Sequence, residues 1–559
     1  MITRDPKQLS DRVFDIIVIG AGVYGAATAW EAALRGLSVA LIDQGDFCGK
    51  TSANSLKIIH GGLRYLQQLD IKRMRESIRE RRIMMKIAPH LVHPLQCIMP
   101  TSGHMIKGPE VMRLGLLAND IISWDRNRKA DPQKRIPMGR IISRADVCRL
   151  APGIDTARIN GGAFWTDAQV YNTERLVLAM IQSAADRGAV AVNYMKAVDL
   201  MRSKDSITGV RVRDHFSGDE KEVRGRMVVN TAGGWVDRIL EGVSGSPPRV
   251  RLSTAMNLVI RRRMLRETAL GFSAPFAYAA GSGHHGTHVL FMTPWRDVTV
   301  IGTYHQPYDG DPDDMAVSEQ EIEKFLMEIN GGYPGDPVRR EDVSFFYKGF
   351  LPMNGLSART GEVNLVKHYR IHDHAREDNL QGLISVVGVK YTTARDVAVR
   401  TVDYVFKKLG TRSGPSVSHK HPLRGGDIPL FDRFLEEAVR SADGPWNETI
   451  IRHLVLSYGT RYTDVIGLGK ENSKWLALIP DSREVTAAEI VHAVRNEAAR
   501  TLADAVLRRT DLGSAGNPGR PALKTCADLV GEQLGWSAER RKKEVEDLEK
   551  LYVPVTREP

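Results

Sequence analysis

The sequence has few cysteines and no apolar run long enough to cross a membrane. Its four cysteines are widely spread over 559 residues and make no C-x-x-C pair: Cys48, Cys97, Cys148 and Cys526. Neither a disulfide framework nor a metal site is therefore predicted, and a reducing compartment is favoured. No stretch reaches the ~20 apolar residues of a membrane span, and the N-terminus "MITRDPKQLSDRVF" lacks the apolar segment of a secretory signal. We expect a cytoplasmic protein, with any membrane contact peripheral.

An excess of basic residues favours anionic binding partners but does not identify one of them. Lys and Arg number 78 against 67 Asp and Glu, a formal net charge of +11. Nucleic acid, an anionic membrane surface and a phosphorylated or carboxylated substrate all suit that charge. In the basic segment 71–86, Glu76, Glu80 and Met84 recur at helical spacing, which predicts an amphipathic helix, and no nucleic-acid fold accompanies it. No nucleic-acid partner is expected.

A dinucleotide-binding pattern stands near the N-terminus. The run "DIIVI" (15–19) is typical of a strand buried on both faces of a parallel sheet. Gly20, Gly22 and Gly25 follow in G-x-G-x-x-G spacing and open an Ala-rich helix. The next strand, "SVALID", ends in Asp43, where an acid hydrogen-bonds a ribose hydroxyl. Strand, glycines, helix, strand and acid together predict a dinucleotide site rather than an unrelated tight turn.

Two later segments also show a buried strand that ends in small residues. "RMVVNTAGGWVDRI" (226–239) and "LISVVGVKYTTARDVAVRTV" (383–402) each indicate a buried strand followed by small residues. Three such strand ends, separated by long inserts, predict one sheet assembled from distant pieces. FAD-dependent oxidoreductases of the glutathione-reductase type are built in that way, whereas NAD domains usually run contiguously. FAD is therefore the predicted cofactor.

Seven motifs carry a resemblance to a known family. They are "GAGVYGAATAWEAALRGLSVALID", "TSANSLKIIHGGLRYLQ", "APHLVHPL", "VVNTAGGWVD", "TPWRDVTVIGT", "GVKYTTARDVA" and "LADAVLRRTDLG". Their order and spacing, over nearly the whole chain, resemble FAD-dependent glycerol-3-phosphate dehydrogenases. The resemblance implies oxidation of the secondary alcohol of a small anionic polyol, sn-glycerol 3-phosphate to dihydroxyacetone phosphate above all, by hydride transfer to flavin N5.

The implied fold class is α/β, and α+β overall, in three domains. The first is a Rossmann-like FAD-binding domain of the glutathione-reductase type, formed by residues 1–99, 150–250 and 345–415. An antiparallel substrate-binding domain, residues 100–149 and 251–344, is inserted in it, and a helical domain spans residues 416–559. In the last, one amphipathic helix is predicted to begin at a Thr486/Glu489 capping box and to end near Gly513. Arg508 and Arg509 on it would be solvated or offer basic surface to partners.

The resemblance also assigns roles to single residues. His60 would take, or help to take, the alcohol proton, and Arg64 would pair with the substrate anion. Tyr65 would donate a hydrogen bond nearby, and Lys390 would face flavin and substrate. The residues implied to contact the cofactor, where glycine lets the chain approach the flavin ring, are Gly20, Gly22, Gly25, Asp43, Thr51, Ser52, Ser55, Gly61, Gly62, Ala232, Gly233, Gly388 and Thr392.

Several substrate-side positions depart from the family pattern. Leu351 stands where the family has a phosphate-binding arginine, and Lys367 where it has a second. Asn257 and His305 replace family residues in two other pocket segments, and both are candidate substrate-binding residues together with Lys367. Losing a bidentate arginine is not conservative, because each charged hydrogen bond is worth ~1.5–3 kcal/mol. Neighbouring basic residues such as Lys348 could rebuild the anion site.

Three functional hypotheses follow. The first is the family reaction; the second is a paralogue acting on a different hydroxy compound or sugar phosphate; the third is a flavin-binding structural or regulatory subunit without turnover. The resemblance further implies a quinone or another electron acceptor and peripheral contact with the cytoplasmic face of a membrane. It leaves a homodimer open. The sequence shows no strong apolar anchoring helix.

Overall fold

The structure is a computed structural model that describes residues 1–104, 108–157, 159–241, 250–277, 285–357, 361–412, 414–442 and 446–555. Within these ranges the strands are β1 (Phe14–Ile19), β2 (Val39–Ile42), β3 (Ile58–Ile59), β4 (Val92–Ser102), β5 (Arg140–Ser143), β6 (Ile159–Val170), β7 (Val190–Val192), β8 (Met195–Ser203), β9 (Ser206–Asp214), β10 (Glu220–Asn230), β11 (Arg251–Ile260), β12 (Thr268–Ala277), β13 (His285–Trp295), β14 (Val298–Tyr308), β15 (Val343–Leu356), β16 (Val363–Leu365), β17 (Arg370–Asp373) and β18 (Leu383–Val387).

The α-helices of the same ranges are α1 (Val23–Leu34), α2 (Ile71–Ile87), α3 (Pro109–Ile122), α4 (Arg144–Leu150), α5 (Thr173–Ala185), α6 (Glu319–Gly332), α7 (His374–Glu377), α8 (Ala394–Leu409), α9 (Phe431–Arg440), α10 (Glu448–Tyr458), α11 (Tyr462–Glu471), α12 (Ala487–Asn496), α13 (Arg520–Leu534) and α14 (Ala538–Lys550). A 3-10 turn at Leu63–Gln68 and a π-helical turn at Asp504–Arg509 also matter below. No helix in the described ranges is both long and apolar enough to cross a membrane.

The first sheet has eight strands in the order β17-β18-β10-β1-β2-β7, with β9 paired to β10 and β8 to β9. From β18 to β7 the neighbouring strands are parallel. Ile19 lies opposite both Asn230 and Ile42, and Asn230 lies opposite Ser385. The prediction of one sheet assembled from distant pieces is therefore confirmed. The carboxyl ends of β1, β2, β10 and β18 meet at one edge, where ligands of such sheets bind.

The composition of β1 follows from its two buried faces. Ile16 and Val18 enter a core with α1, α5 and α8. Ile17 and Ile19 enter a second core with residues of β8, β9 and β10. Because both faces are covered, successive residues are apolar instead of alternating with polar ones.

The second sheet has ten strands in the order β16-β15-β11-β14-β13-β12-β4-β6-β3, with β5 paired to β6. Its pairs are antiparallel except for β12 with β4. β4, β6 and β15 thus belong to this sheet, although much of them lies in segments that the sequence analysis assigned to the FAD-binding domain. We propose that the substrate-binding domain also takes these strands; the domain ranges otherwise stay predictions.

The C-terminal segment forms a helical bundle around its own core, which includes Leu454, Val491 and Leu523. The predicted capping box at the start of α12 is confirmed. The single helix predicted to run on toward Gly513 is wrong, since α12 ends at Asn496. Ala498 has a φ of +56°, which breaks the helix, and the chain resumes as the π-helical turn.

Buried ion pairs join this bundle to the nucleotide-binding sheet. Arg509 donates to both carboxylate oxygens of Asp46 at 2.7 and 2.8 Å, and Arg508 Nε donates to Asp46 Oδ2 at 2.7 Å. Arg175 Nη1 lies 2.6 Å from Glu497 Oε2, also buried. The interpretation of Arg508 and Arg509 as solvated or partner-binding residues is therefore wrong. They hold the loop that follows β2.

Replacing Asp46 by Asn is expected to destabilise the protein by about 3–5 kcal/mol, because two buried guanidinium groups lose their counter-charge. Burial alone would raise the pKa of Asp46, but Arg509 and Arg508 lower it to about 2 from the ordinary 3.8. The carboxylate therefore stabilises the fold above pH 4, and this contribution is lost as the pH falls toward 2. Thermal unfolding at several pH values measures both effects. The control is Asp205→Asn, which removes an exposed pair with Arg202 and should cost under about 1 kcal/mol; equal losses would contradict the account.

Candidate active site

Three glycines shape the turn between β1 and α1. Gly20 has a φ of +94°, and a Cβ there would lie 2.8 Å from the Thr231 carbonyl oxygen. A Cβ at Gly25 would lie 1.8 Å from the Gly20 carbonyl oxygen, and one at Gly22 would lie 3.0 Å from Ser52 Oγ. Side chains are therefore excluded at Gly20 and Gly25 and crowded at Gly22. The bare backbone of the turn is open to the close approach of a pyrophosphate.

Asp43 and Ser52 complete the edge of this turn. Asp43 accepts hydrogen bonds from Ala21 N at 2.6 Å and Gly45 N at 2.9 Å. Burial outweighs these bonds and raises the pKa of Asp43 to about 6. Ser52 Oγ accepts from Val23 N at 2.9 Å, which caps the first turn of α1. Both residues face the cleft beside the glycines.

This cleft has a volume of about 390 Å³ and runs along the carboxyl edge of the first sheet to the second sheet. Its lining is mostly apolar and small, which fits the ring system of a flavin dinucleotide. Gly25, Gly61, Gly62 and Thr392 are not among the residues that line it, and neither are the predicted catalytic residues His60, Arg64 and Tyr65. The predicted cofactor-contacting residues that do line it are Gly20, Gly22, Asp43, Thr51, Ser52, Ser55, Ala232, Gly233 and Gly388.

Tyr24 positions the turn after β18, a role that the sequence analysis missed. Its hydroxyl donates to the Lys390 carbonyl at 2.7 Å and accepts from Val389 N and Lys390 N at 3.1 and 2.9 Å. A Cβ at Gly388 would lie 2.1 Å from the Tyr24 ring. The available signal was a large aromatic residue inside the glycine motif.

The turn at His60-Gly61-Gly62 is held by Asp167. The Asp167 carboxylate accepts from Gly61 N and from Arg81 Nη1, both at 2.5 Å. A Cβ at Gly61 would lie 2.5 Å from the Arg81 guanidinium. Gly62 has a φ of +82°. Both glycines are thus required by contacts within the protein, whereas the sequence analysis explained them by the approach of a flavin ring.

His60 and Tyr65 lie together in this turn. The Tyr65 hydroxyl is 3.4 Å from His60 Nε2, and the rings meet edge to face. Burial, opposed by the Asp167 carboxylate, lowers the pKa of His60 to about 4. The imidazole is therefore neutral at pH 7. In that form its ring can accept a proton.

Lys390 and Arg64 are positively charged side chains whose charges act on His60. Lys390 Nζ lies 4.1 Å from the centre of the Tyr65 ring. Burial and the neighbouring Arg73 lower the pKa of Lys390 to about 7, against the opposite influence of nearby carboxylates. Arg64 is exposed, and its charge is among those that lower the pKa of both His60 and His305.

The opposite wall of the cleft comes from β11, β14 and β15. Asn257, His305 and Leu351 line it. Asn257 Oδ1 accepts from Thr303 Oγ1 at 3.0 Å, and burial lowers the pKa of His305 to about 4. This wall is therefore uncharged at pH 7, and Leu351 gives it an apolar surface.

Lys367 and Lys348, two basic residues that the sequence analysis considered for the anion site, do not line the cleft. Lys367 is exposed and does not line the cleft. Lys348 Nζ binds Glu321 Oε1 at 2.6 Å and the Ala316 carbonyl at 2.7 Å, away from it. Among the described residues, the lysines that line the cleft are Lys390 and Lys50, and no arginine does so. Lys50 was missed because it lies in a loop with no distinctive pattern.

Comparisons with known proteins agree with this geometry. The family described as "FAD dependent oxidoreductase" matches residues 15–380, and the "C-terminal domain of alpha-glycerophosphate oxidase" matches residues 416–541. A glycerol-3-phosphate dehydrogenase of Synechocystis sp. is 30% identical over 97% of both chains. One from Mycobacterium leprae is 31% identical over 95% of this chain and 87% of that one.

A solved structure supports the fold. The glycerol-3-phosphate dehydrogenase of Bacillus halodurans, complexed with FAD, has a TM-score of 0.76 over 98% of this chain and 95% of that one, at 24% identity. The glycine turn, the acid after β2 and the apolar cleft of the present protein fit the same cofactor. The chain therefore belongs to the family of FAD-dependent glycerol-3-phosphate dehydrogenases.

Proposed function

We propose that the protein oxidises the secondary alcohol of sn-glycerol 3-phosphate to dihydroxyacetone phosphate. The observation that carries the proposal is the cluster of His60, Tyr65 and Lys390: the Tyr65 hydroxyl lies 3.4 Å from His60 Nε2, and Lys390, 4.1 Å from the Tyr65 ring, lines the cleft that fits FAD. Relatives named for this reaction match the chain over nearly its whole length.

The reaction removes a hydride from the substrate carbon and a proton from its oxygen. Bound FAD supplies the acceptor for the hydride. The protein must supply the acceptor for the proton, and His60 is neutral at pH 7 because burial lowers its pKa. The Asp167 and Arg81 contacts to the turn fix the backbone that carries the imidazole, so that it need not reorganise during proton transfer.

We propose that the substrate anion binds to Lys390 and Lys50, which line the cleft, and to Arg64, which lies outside its lining. Arg64 is exposed and forms no ion pair within the described residues, so its guanidinium is available for phosphate. Lys390 adds a second charge, and Lys50 lines the same cleft. The other wall, with Leu351, leaves the three-carbon skeleton against an apolar surface.

Affinity for the anionic substrate is expected to fall at alkaline pH. Lys390 has a pKa of about 7, so its positive charge is present below pH 7 and is lost as the pH rises. Since kcat/KM reports the free enzyme, it should fall by about tenfold per pH unit above 7–8, mainly through KM. Lys390→Arg stays charged and should flatten that limb between pH 7 and 9. Parallel profiles for both proteins would contradict the role of Lys390.

Turnover with a soluble dye as electron acceptor tests the reaction itself. Glycerol 3-phosphate is compared with glycerol, with other three-carbon phosphates and with hydroxy acids, and dihydroxyacetone phosphate is measured as product. We expect glycerol 3-phosphate to give the highest kcat/KM. The absence of turnover with every alcohol, in flavin-loaded protein, would favour the non-catalytic hypothesis.

A second candidate, a different phosphorylated or carboxylated alcohol, is supported by the cleft lining. Leu351 offers no charge where the family has an arginine, and Lys367 lies outside the cleft. The same panel separates the two candidates. A kcat/KM at least tenfold higher with another compound would replace glycerol 3-phosphate as the substrate.

Helix α3 supports the proposal that the protein binds peripherally to a membrane. The sequence analysis found no apolar anchoring helix, but α3 and the residues just after it expose an apolar face. Leu114 is 66% exposed and Trp124 is 74% exposed. Gly115 of α3 faces Leu66 of the turn that carries Arg64 and Tyr65. The members of this apolar face are Val111, Leu114, Leu117, Ile121 and Trp124.

The double variant Leu114→Glu/Ile121→Glu is expected to weaken binding to anionic phospholipid vesicles at least tenfold, because two apolar side chains that would enter the membrane interface become charged. Vesicle flotation measures the bound fraction. Met327→Glu, at an exposed apolar residue of α6, is the matched control and should bind like the unaltered protein. Equal binding by all three proteins would contradict this surface.

A further inference from the structure

Two histidines and a carboxylate converge at the outer strand of the eight-stranded sheet. His372 lies in β17, His374 begins α7, and Asp378 follows its last residue. His372 Nε2 and His374 Nδ1 lie 3.1 and 2.6 Å from the same oxygen, Asp378 Oδ2. The two imidazole rings are buried. Three atoms of the types that bind transition metals therefore share one small volume.

Each imidazole is held in place by its other nitrogen. His372 Nδ1 lies 3.0 Å from Glu377 Oε2, and His374 Nε2 lies 2.8 Å from Ser385 Oγ. When the outer nitrogen donates its proton to this oxygen, the inner nitrogen carries the lone pair that a metal ion binds. Proteins orient metal-binding histidines in this way. Glu377 also pairs with Arg370, which balances its charge.

Two arrangements satisfy these contacts, one of hydrogen bonds and one around a metal ion. His372 has a carboxylate oxygen against each of its nitrogens, so that donation to both would require an imidazolium. Asp378 Oδ2 would also receive both inner N–H groups on one oxygen. A divalent cation satisfies the inner nitrogens and this oxygen together, with both imidazoles neutral.

We propose that His372, His374 and Asp378 bind one divalent transition-metal ion, for which Zn²⁺ is the best match. Zn²⁺ binds imidazole nitrogen and carboxylate oxygen at about 2.0–2.2 Å in tetrahedral geometry. Its ligand atoms then lie about 3.3 Å apart, so on binding Asp378 Oδ2 moves away from His374 Nδ1 by about 0.7 Å and from His372 Nε2 by about 0.2 Å. Water takes the fourth position. Mg²⁺ and Ca²⁺, which prefer oxygen ligands, do not suit two imidazoles.

The ion ties the outer strand to the part of the sheet that reaches the cofactor cleft. His372 lies opposite Ser385 of β18, and Ser385 is three residues before Gly388. Metal binding is therefore expected to stabilise the edge of the flavin-binding sheet. The sequence analysis predicted no metal site because it looked for cysteine spacings, and a lone H-x-H followed by an acid is a weak signal.

Titration of the metal-stripped, flavin-loaded protein with Zn²⁺ tests the proposal. We expect about one Zn²⁺ per chain by calorimetry, and a rise in the temperature of unfolding. His372→Ala and Asp378→Asn should abolish this binding, and Ser385→Ala, which removes an orienting contact, should weaken it about 10–100-fold. His104→Ala, which removes an exposed histidine–glutamate pair, is the control and should bind Zn²⁺ normally.

Less than a tenth of an equivalent of bound Zn²⁺ at micromolar concentration would overturn the proposal. Unchanged binding in both His372→Ala and Asp378→Asn would overturn it equally. Should the variants not fold, Co²⁺ added to the unaltered protein decides the question. Tetrahedral Co²⁺ gives strong visible absorption at wavelengths beyond the flavin band, and its absence would contradict the site.

Discussion

His60→Ala is expected to lower kcat/KM by about 10²–10⁴-fold while FAD remains bound. That range is the usual contribution of one positioned general base. The reason lies in burial, which lowers the pKa of the imidazole to about 4 and leaves it neutral at pH 7. Steady-state kinetics and the flavin content of the same preparation measure the two quantities together.

Two further measurements separate proton transfer from a structural role of His60. Added imidazole should restore part of the activity of His60→Ala, since a small base can enter the space that the side chain leaves. Tyr65→Phe, which removes the hydroxyl 3.4 Å from the ring, should cost about tenfold or less. A His60→Ala protein within threefold of the unaltered enzyme would contradict the assignment.

Gly25→Ala is expected to produce protein that retains little or no FAD. A Cβ at this position would lie 1.8 Å from the Gly20 carbonyl oxygen and 2.7 Å from Thr231 Oγ1. The first of these atoms is backbone of the turn that cradles the dinucleotide, so relief requires the turn itself to move. Overpacking costs of 1–3 kcal/mol convert to roughly 5–150-fold in affinity. The ratio of flavin to protein absorbance after purification measures the loss.

Gly467→Ala is the matched control for this substitution. Gly467 lies within α11, and a Cβ there would meet no atom within 4 Å. Alanine is favoured over glycine in a helix, so this variant should keep its flavin and unfold at the same temperature or slightly above. Stoichiometric FAD in Gly25→Ala would show that the turn does not hold the dinucleotide as described.

The sequence predicted those parts of the fold in which a local pattern decides the structure. The apolar run of β1 and the glycines after it place the nucleotide turn, because burial on both faces leaves a continuous signal. The end of α12 could not be predicted in this way. Just after that end, the Glu497 side chain pairs with Arg175, more than 300 residues away in sequence. Helix propensity, which reflects local sequence only, does not show a break that accompanies such a tertiary contact.

The residues of the candidate site also fall into two groups, those that lie in local motifs and those that are positioned by contacts distant in sequence. His60, Arg64 and Lys390 lie in motifs and were predicted from them. Tyr24 and Arg81 act through residues that are distant in sequence, so no spacing rule shows them. The pKa of His60 also depends on burial in the folded protein, which the residue type alone does not show.

The most direct test of the account is an anaerobic titration of the flavin-loaded protein with sn-glycerol 3-phosphate, followed by flavin absorbance. The account predicts saturable bleaching by glycerol 3-phosphate, with bleaching much slower in His60→Ala and requiring more substrate in Arg64→Ala. Glycerol itself, which lacks the anion, should bleach the flavin poorly. Flavin that stays oxidised with glycerol 3-phosphate, but is bleached by another hydroxy compound, would contradict the proposed substrate; flavin that no alcohol bleaches would contradict the proposed reaction.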